Sequence, residues 1–301
     1  MNLPASGHVL LPELGVVRVS GADASTFLQG QLTADVRRVS PTQAALAAWC
    51  NPQGRALFLM QLLGTADGFL LVLPADDIER FVKRLRMFVL RAKVTVDDLR
   101  EQWAVAGIFG ITEPAPAQVI EAAAFTTASA DGVSACRLPG AAPRALVLGE
   151  ASVLQAWLKP LAVPPCGATD WWALDAQQAH PRIDATTAER FIPQQLNLDR
   201  LGMMSFDKGC YPGQEVIARL KYRGTVKARL RSGQAPFALS PGARLYAPGA
   251  GGGQSAGEVL NVVPVADGVV FTAVVDLNAV GTLHANTPDG PALTIAPDPG
   301  D

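Results

Sequence analysis

The most informative stretch of this sequence reads Ser205-Phe-Asp-Lys-Gly-Cys-Tyr-Pro-Gly-Gln-Glu-Val-Ile-Ala-Arg-Leu-Lys-Tyr-Arg-Gly224. Gly209 and Gly213 allow backbone angles that other residues avoid, and Pro212 fixes one dihedral angle between them. A cysteine held among such residues lies in a tight turn, where its sulfur is presented rather than packed. Cys210 is therefore a candidate nucleophile, redox thiol or ligand contact.

The surroundings of Cys210 strengthen this interpretation. Lys208 lies two residues before it, and a helix is expected to start near Gly213; a positive charge and a helix N-terminus both favour a thiolate. Free cysteine is, however, more often a small buried hydrophobic residue, and the turn alone leaves both interpretations open. The other three cysteines have no comparable neighbours, so we do not expect them to act: Cys50, Cys136 and Cys166.

Basic residues are concentrated in and after this turn. Residues 207–231, called the basic segment below, carry seven basic and two acidic side chains, a net charge of +5 in a chain whose total is −2. Such a local excess suggests an anionic partner, although a solvated strand face explains it equally well. The basic side chains are Lys208, Arg219, Lys221, Arg223, Lys227, Arg229 and Arg231.

Composition narrows the class of protein. Of 301 residues, 49% are hydrophobic and 17% charged, which favours a sizeable core over disorder. The four cysteines are far apart and form no metal-ligand spacing with histidine, which argues against a zinc or four-cysteine iron–sulfur site and against a disulfide framework. Because the N-terminus lacks a secretory pattern and no apolar run reaches about 18 residues, we predict a cytoplasmic protein without membrane contact.

Hydrophobic periodicity predicts a mixture of strands and helices. Strands are expected at residues 16–19 and 44–49, and a hairpin from 56–63 to 69–73 around Asp67-Gly68. Apolar steps of three and four predict an amphipathic helix over 78–89, and a second helix is expected over 171–179. After Gly224 short strands separated by turns such as Pro241-Gly242 predict a small β-barrel or sandwich.

The motif Lys208-Gly-Cys-Tyr-x-Gly-Gln-Glu215 resembles the signature of the YgfZ family, relatives of the T-protein of the glycine cleavage system. The resemblance extends over about residues 14–231, although 104–165 match poorly. Four further blocks carry it: Ser20-Gly-Ala-Asp-Ala with Phe27-Leu-Gln-Gly-Gln-Leu-Thr-Ala-Asp35, Asn51-Pro-Gln-Gly-Arg55, Pro181-Arg-Ile-Asp184, and Phe191-Ile-Pro-Gln194 leading to Asn197-Leu.

The resemblance implies an α+β, T-protein-like fold. Residues 1–224 would form the folate-binding region, with a less well matched subdomain at about 100–170, and residues 225–301 a C-terminal β-barrel. It also implies tetrahydrofolate or a one-carbon derivative as cofactor. The implied role is support of iron–sulfur cluster assembly or repair, with iron–sulfur client proteins as partners and an indirect effect on tRNA modification.

The resemblance also assigns site residues. The family cysteine falls on Cys210, taken as the catalytic residue, and its sulfur would face the folate cavity. A folate-contacting tryptophan falls on Trp171, a pterin-holding glutamate falls on Gln177, and a second aromatic contact falls near Leu14, which is not aromatic. The complete set of expected folate contacts is Trp171, Gln177, Lys208, Tyr211, Gln214, Arg219 and Arg223, in which the arginines would attract the anionic glutamate tail.

One difference between this sequence and the T-protein pattern bears on which activity is expected. Where T-proteins carry acidic residues after the turn that ends near Gly54, residues 56–59 read Ala-Leu-Phe-Leu. Proton transfer needs a titratable side chain, so aminomethyl transfer from glycine cleavage is not expected. A folate-dependent iron–sulfur accessory factor is the first hypothesis, and a folate-dependent aminomethyl- or methyltransferase with another substrate is the second. An RNA-binding module is the weakest, because aromatic residues do not interleave with the basic ones, and no direct nucleic-acid contact is expected.

Overall fold

The computed structural model describes residues 5–161, 163, 165–247, 255–279 and 282–297. Within these residues the chain forms two five-stranded sheets, a closed six-stranded barrel and five α-helices. The predicted α+β class and C-terminal β-barrel are therefore confirmed.

The elements are numbered along the chain. The strands are β1 (Gly7–Leu10), β2 (Leu14–Ser20), β3 (Ala45–Cys50), β4 (Ala56–Gly64), β5 (Gly68–Pro74), β6 (Thr95–Asp98), β7 (Trp103–Phe109), β8 (Thr127–Ala130), β9 (Val133–Arg137), β10 (Arg144–Glu150), β11 (Ala228–Ala235), β12 (Arg244–Tyr246), β13 (Gly257–Val265), β14 (Gly268–Asp276), β15 (Leu283–Ala285) and β16 (Ala292–Ile295). The α-helices are α1 (Ala24–Gln29), α2 (Ile78–Arg86), α3 (Ala151–Leu158), α4 (Ala168–Gln177) and α5 (Gln214–Arg223).

The first sheet has the strand order β3-β4-β5-β2-β6 and contains the predicted hairpin as β4 and β5. Its strands are almost continuously apolar because both faces are covered. One face packs against α1 and α2, and the buried stripe of α2 consists of Ile78, Phe81, Val82 and Leu85.

Helix α2 is shorter than its periodicity predicts. The expected helix over 78–89 ends at Arg86, and the backbone N–H groups of Met87, Phe88 and Val89 instead bond three residues back in tighter turns. Leu90 then adopts a left-handed φ of 46°. Phe88, expected on the buried stripe, is consequently 43% exposed.

The second sheet has the order β1-β7-β10-β9-β8 and faces the first sheet across the largest core cluster. Leu46 and Leu59 of the first sheet and Val105 and Leu146 of the second sheet belong to this cluster. Helix α3 and a 3-10 turn at Ala117–Glu121 cover the outer face. Most of this layer comes from the part of the chain that matches the family pattern poorly.

The barrel closes in the order β11-β14-β13-β12-β15-β16. Helix α4 joins it to the rest of the molecule, because Ala173 and Ala176 pack against Val263 and Val270 of β13 and β14. The first barrel strand begins at Ala228, and the domain division between residues 224 and 225 stays a prediction.

Candidate functional site

Lys208 and Tyr211, on either side of Cys210 in the sequence, hold the cysteine turn (residues 208–214). Lys208 is buried, and its Nζ donates hydrogen bonds of 2.7 Å to the carbonyl oxygens of Leu32 and Ala34. Tyr211 is also buried, whereas Cys210 between them is exposed. Because the side chains of Lys208 and Tyr211 point into the protein, Cys210 between them is left at the surface.

Electrostatics make Lys208 an anchor rather than a free cation. Burial lowers the pKa of its ammonium to about 8, which leaves the group largely protonated at neutral pH. The ammonium lies 5.1 Å from the ring centroid of Tyr211, a cation–π contact. Burial also raises the pKa of the Tyr211 hydroxyl, so that this group stays neutral.

Gln214 closes the cysteine turn. Its Oε1 accepts a hydrogen bond from the backbone N–H of Tyr211 at 3.3 Å, and its Nε2 donates to the carbonyl oxygen of Lys208 at 3.4 Å. Gly213 has a φ of +80°, and a Cβ at this position would lie 2.5 Å from the Cα of Gly54. The cysteine turn therefore packs directly against the turn between β3 and β4.

The basic segment is divided between exposed and structural positions. Arg219, Lys221 and Arg223 are exposed on α5, which follows the cysteine turn. Arg229 is buried on β11, and its Nη2 lies 2.9 Å from Oδ2 of Asp199. Only part of the local charge excess is consequently available to a partner.

A cavity lies between the first sheet and α4. Its empty volume, including the part open to solvent, is about 480 Å³, and Trp171 and Trp172 form one wall of this Trp171 cavity. Trp171 is only 1% exposed because its ring lies against Gly107, where a Cβ would come within 2.3 Å of the ring. The absence of a side chain at Gly107 thus sets the position of the tryptophan.

Four polar side chains line the Trp171 cavity: Gln61, Asp175, His180 and Arg182. Asp175 Oδ1 accepts a hydrogen bond of 2.9 Å from Nη2 of the fully buried Arg144. Burial lowers the pKa of His180 to about 4, so its imidazole is neutral at pH 7. The cavity therefore presents uncharged hydrogen-bonding groups, one ion pair and the Arg182 cation beside aromatic rings.

Strand β4 confirms that residues 56–59 contribute only apolar groups. All four are buried, and Leu59 lines the Trp171 cavity. The position at which T-proteins are expected to hold carboxylates is therefore hydrocarbon in this chain.

Proteins of known name resemble this chain along most of its length. "tRNA-modifying protein YgfZ" of Edwardsiella ictaluri is 32% identical, with 94% of this chain and 89% of the relative covered. The protein of the same name from Escherichia coli O157:H7 is also 32% identical, over 88% and 83%. The chain belongs to the YgfZ family. No protein-family model matches it.

Among solved structures, glycine cleavage system aminomethyltransferase T from Bartonella henselae superposes with a TM-score of 0.71. The match covers 98% of this chain and 86% of the other at 14% sequence identity, which is a likeness of fold. The predicted T-protein-like fold is confirmed. In the part of the chain that the structure describes, no helix is long and apolar enough to cross a membrane.

The residues assigned from the YgfZ family pattern fall into separate places. Trp171 lines the cavity together with Leu14, the position of the missing second aromatic residue. The lining among the described residues does not include Cys210, whose sulfur was expected to face the cavity. Gln177 lines a different cavity, between α4 and the barrel, with Gln234 as one neighbour.

The other expected contacts, Lys208, Tyr211, Gln214, Arg219 and Arg223, lie in the cysteine turn or on α5. Motif spacing did not reveal Gln61 or His180 as cavity residues. Asp175 had a usable signal, since it follows Trp171 by four positions and shares its helix face.

Proposed function

We propose that this YgfZ-family protein binds tetrahydrofolate or a one-carbon derivative in the Trp171 cavity. Through Cys210 it supports the assembly or repair of iron–sulfur clusters, and thereby tRNA modification. The observation that carries the proposal is a tryptophan-walled cavity within a T-protein-like fold. The name shared by the relatives, "tRNA-modifying protein YgfZ", supports the link to tRNA.

The cavity suits a flat heterocycle. Its lining is mostly apolar with a few polar groups, as in small-molecule sites, and the face of a tryptophan ring can stack on a pterin. Arg182 also lines the cavity, and its guanidinium carbon lies 4.2 Å from the ring centroid of Trp172. A cation at this position is suited to the anionic glutamate tail of a folate.

The thiol role rests on the exposure of Cys210. Cys50 and Cys136 are buried, and burial raises the pKa of both thiols, which disfavours their reactive thiolate forms. Cys166 is half-buried, and its Sγ lies 3.4 Å from the carbonyl oxygen of His8. Of the four, Cys210 is the thiol that a protein partner or a cluster intermediate reaches most directly.

Equilibrium titration with tetrahydrofolate tests the ligand and its location. Wild type is expected to bind saturably, and Trp171→Phe to bind about 3- to 10-fold more weakly, because a smaller ring loses stacking area. Trp157→Phe is the matched control: Trp157 is also buried, but it packs against the second sheet away from this cavity. Absence of saturable binding to wild type would refute the proposed ligand.

Complementation of a deletion strain tests Cys210. Cys210→Ser is expected to leave iron–sulfur enzyme activities and iron–sulfur-dependent tRNA modifications at the level of the deletion, while Cys166→Ser restores both. The activities of a purified iron–sulfur enzyme and the modified nucleosides of digested tRNA provide the readouts. Full restoration by Cys210→Ser would remove the thiol from the proposed function.

A further inference from the structure

Gln61 stands out among the residues of the Trp171 cavity. It lies on β4 opposite Leu46 of β3 and Val72 of β5, and both of these neighbours also line the cavity. The side chain of Gln61 is therefore on the sheet face that forms the cavity floor. The residue is only 4% exposed.

The amide of Gln61 has no internal partner. Its Nε2 and Oε1 are both buried, and neither makes a hydrogen bond to another described residue. Buried amide groups in folded proteins nearly always form hydrogen bonds, because a buried donor or acceptor without a partner costs free energy. A ligand bound in the cavity would supply the hydrogen bonds that the Gln61 amide lacks.

A second unpaired group and the aromatic wall restrict the chemistry of that partner. Nδ1 of His180, which also lines the cavity, is buried without a hydrogen-bond partner among the described residues. One edge of a primary amide presents an N–H donor and a C=O acceptor side by side. A cyclic amide, in which an N–H lies next to a C=O, is its complement, and the flat ring that carries it matches Trp171.

We propose that Gln61 recognises the lactam edge of the heterocycle bound in the Trp171 cavity. The ring N–H donates to Oε1 of Gln61, and the ring carbonyl oxygen accepts a hydrogen bond from its Nε2. Gln61 is thus a specificity-determining residue of this site. The inference rests on the proposed function, because it names the contact by which the site would distinguish a pterin from other flat rings.

Gln194 provides the contrast within the same chain. It is 2% exposed, and its Nε2 donates a hydrogen bond of 2.9 Å to the carbonyl oxygen of Ile217 on α5. Its amide supports the fold, whereas that of Gln61 makes no such bond. Replacing each glutamine by leucine therefore separates a binding role from a structural one.

The test combines affinity with stability for wild type, Gln61→Leu and Gln194→Leu. Gln61→Leu is expected to bind tetrahydrofolate about 10- to 100-fold more weakly, the loss expected for one paired amide. Its urea midpoint without ligand should equal or exceed that of wild type, since an unpaired buried amide is removed. Gln194→Leu should show a lower urea midpoint.

A second probe tests the lactam itself. 2-Aminopteridine lacks both the ring N–H and the carbonyl of the lactam, so the Gln61 amide can form at most one hydrogen bond to that edge in either orientation. Wild type should bind 2-amino-4-oxopteridine at least about 10-fold more tightly than this analogue, and Gln61→Leu should lose that preference.

The outcomes separate the two proposals. If wild type binds tetrahydrofolate but Gln61→Leu binds it equally well, the amide pairs with water, and the inference about Gln61 falls while the ligand stands. A Gln61→Leu protein whose urea midpoint falls as far as that of Gln194→Leu would make the amide structural and overturn the inference too. No binding to wild type overturns both.

Discussion

At the scale of single residues, burial decides which groups of this protein carry charge. Lys208 has its pKa lowered to about 8, yet it remains largely protonated at pH 7 and binds two carbonyl oxygens. His180 has its pKa lowered to about 4 and is neutral at the same pH. The anchor of the cysteine turn is thus a cation, whereas His180 contributes no charge to the cavity.

The neutral state of His180 predicts an acid-dependent stability. Between pH 6.5 and about 4 the unfolded chain binds a proton at this histidine that the native protein does not, so the free energy of unfolding falls as the pH drops through this window. His180→Gln should remove about 2 to 3 kcal/mol of that loss. Urea denaturation of both proteins at several pH values between 7 and 4 measures the difference; parallel curves would contradict a buried, neutral His180.

At the scale of elements, the site depends on two turns that pack against each other. Gly213 precedes α5, and its missing side chain lets the cysteine turn approach the turn between β3 and β4. In that second turn the amide of Asn51 donates to Oε2 of Glu189, and its Oδ1 accepts from the backbone N–H of Arg55. The exposure of Cys210 therefore depends on the shape of both turns.

Two glycines of the cysteine turn should respond differently to alanine. Gly213→Ala is expected to lower the free energy of unfolding by about 2 to 4 kcal/mol, because it combines a left-handed backbone with a Cβ 2.5 Å from Gly54. Gly209→Ala is the matched control, since no atom lies within 4 Å of its added Cβ, and it should change stability by about 1 kcal/mol at most. Equal urea midpoints for the two variants would contradict the close packing of the turns.

At the scale of the whole molecule, α4 joins three layers. Its Trp171 faces the cavity beside the first sheet, its alanines pack on the barrel, and its Asp175 is paired with Arg144 on β10 of the second sheet. The ion pair is buried on both sides, so neither charge is solvated when its partner is absent.

Removing one member of this pair should therefore be costly. Arg144→Met is expected to lower the free energy of unfolding by about 3 to 5 kcal/mol, and adding Asp175→Leu should recover a large part of that loss. Arg37→Met is the matched control, because Arg37 is 64% exposed in its pair with Asp35 and its loss should leave the urea midpoint nearly unchanged. A double variant no more stable than Arg144→Met alone would show that the carboxylate was not left unpaired.

Local sequence patterns were sufficient to predict the family, the fold class and several of the strands and helices. The cysteine motif identified the YgfZ family, the apolar strands around Asp67-Gly68 predicted the hairpin, and the short strands after Gly224 predicted the barrel. These features follow from neighbouring residues, whose turn chemistry and periodicity act over a few positions.

Tertiary structure alone decided which side chains meet. Lys208 donates a hydrogen bond to the carbonyl oxygen of Leu32, 176 positions away, and this contact anchors the cysteine turn. The cavity unites Gln61 of one layer with Trp171 and His180 of another, while Cys210 lies on the surface. Burial and pairing between such distant positions arise only when the sheets and α4 pack, because no local pattern records which buried polar group finds a partner.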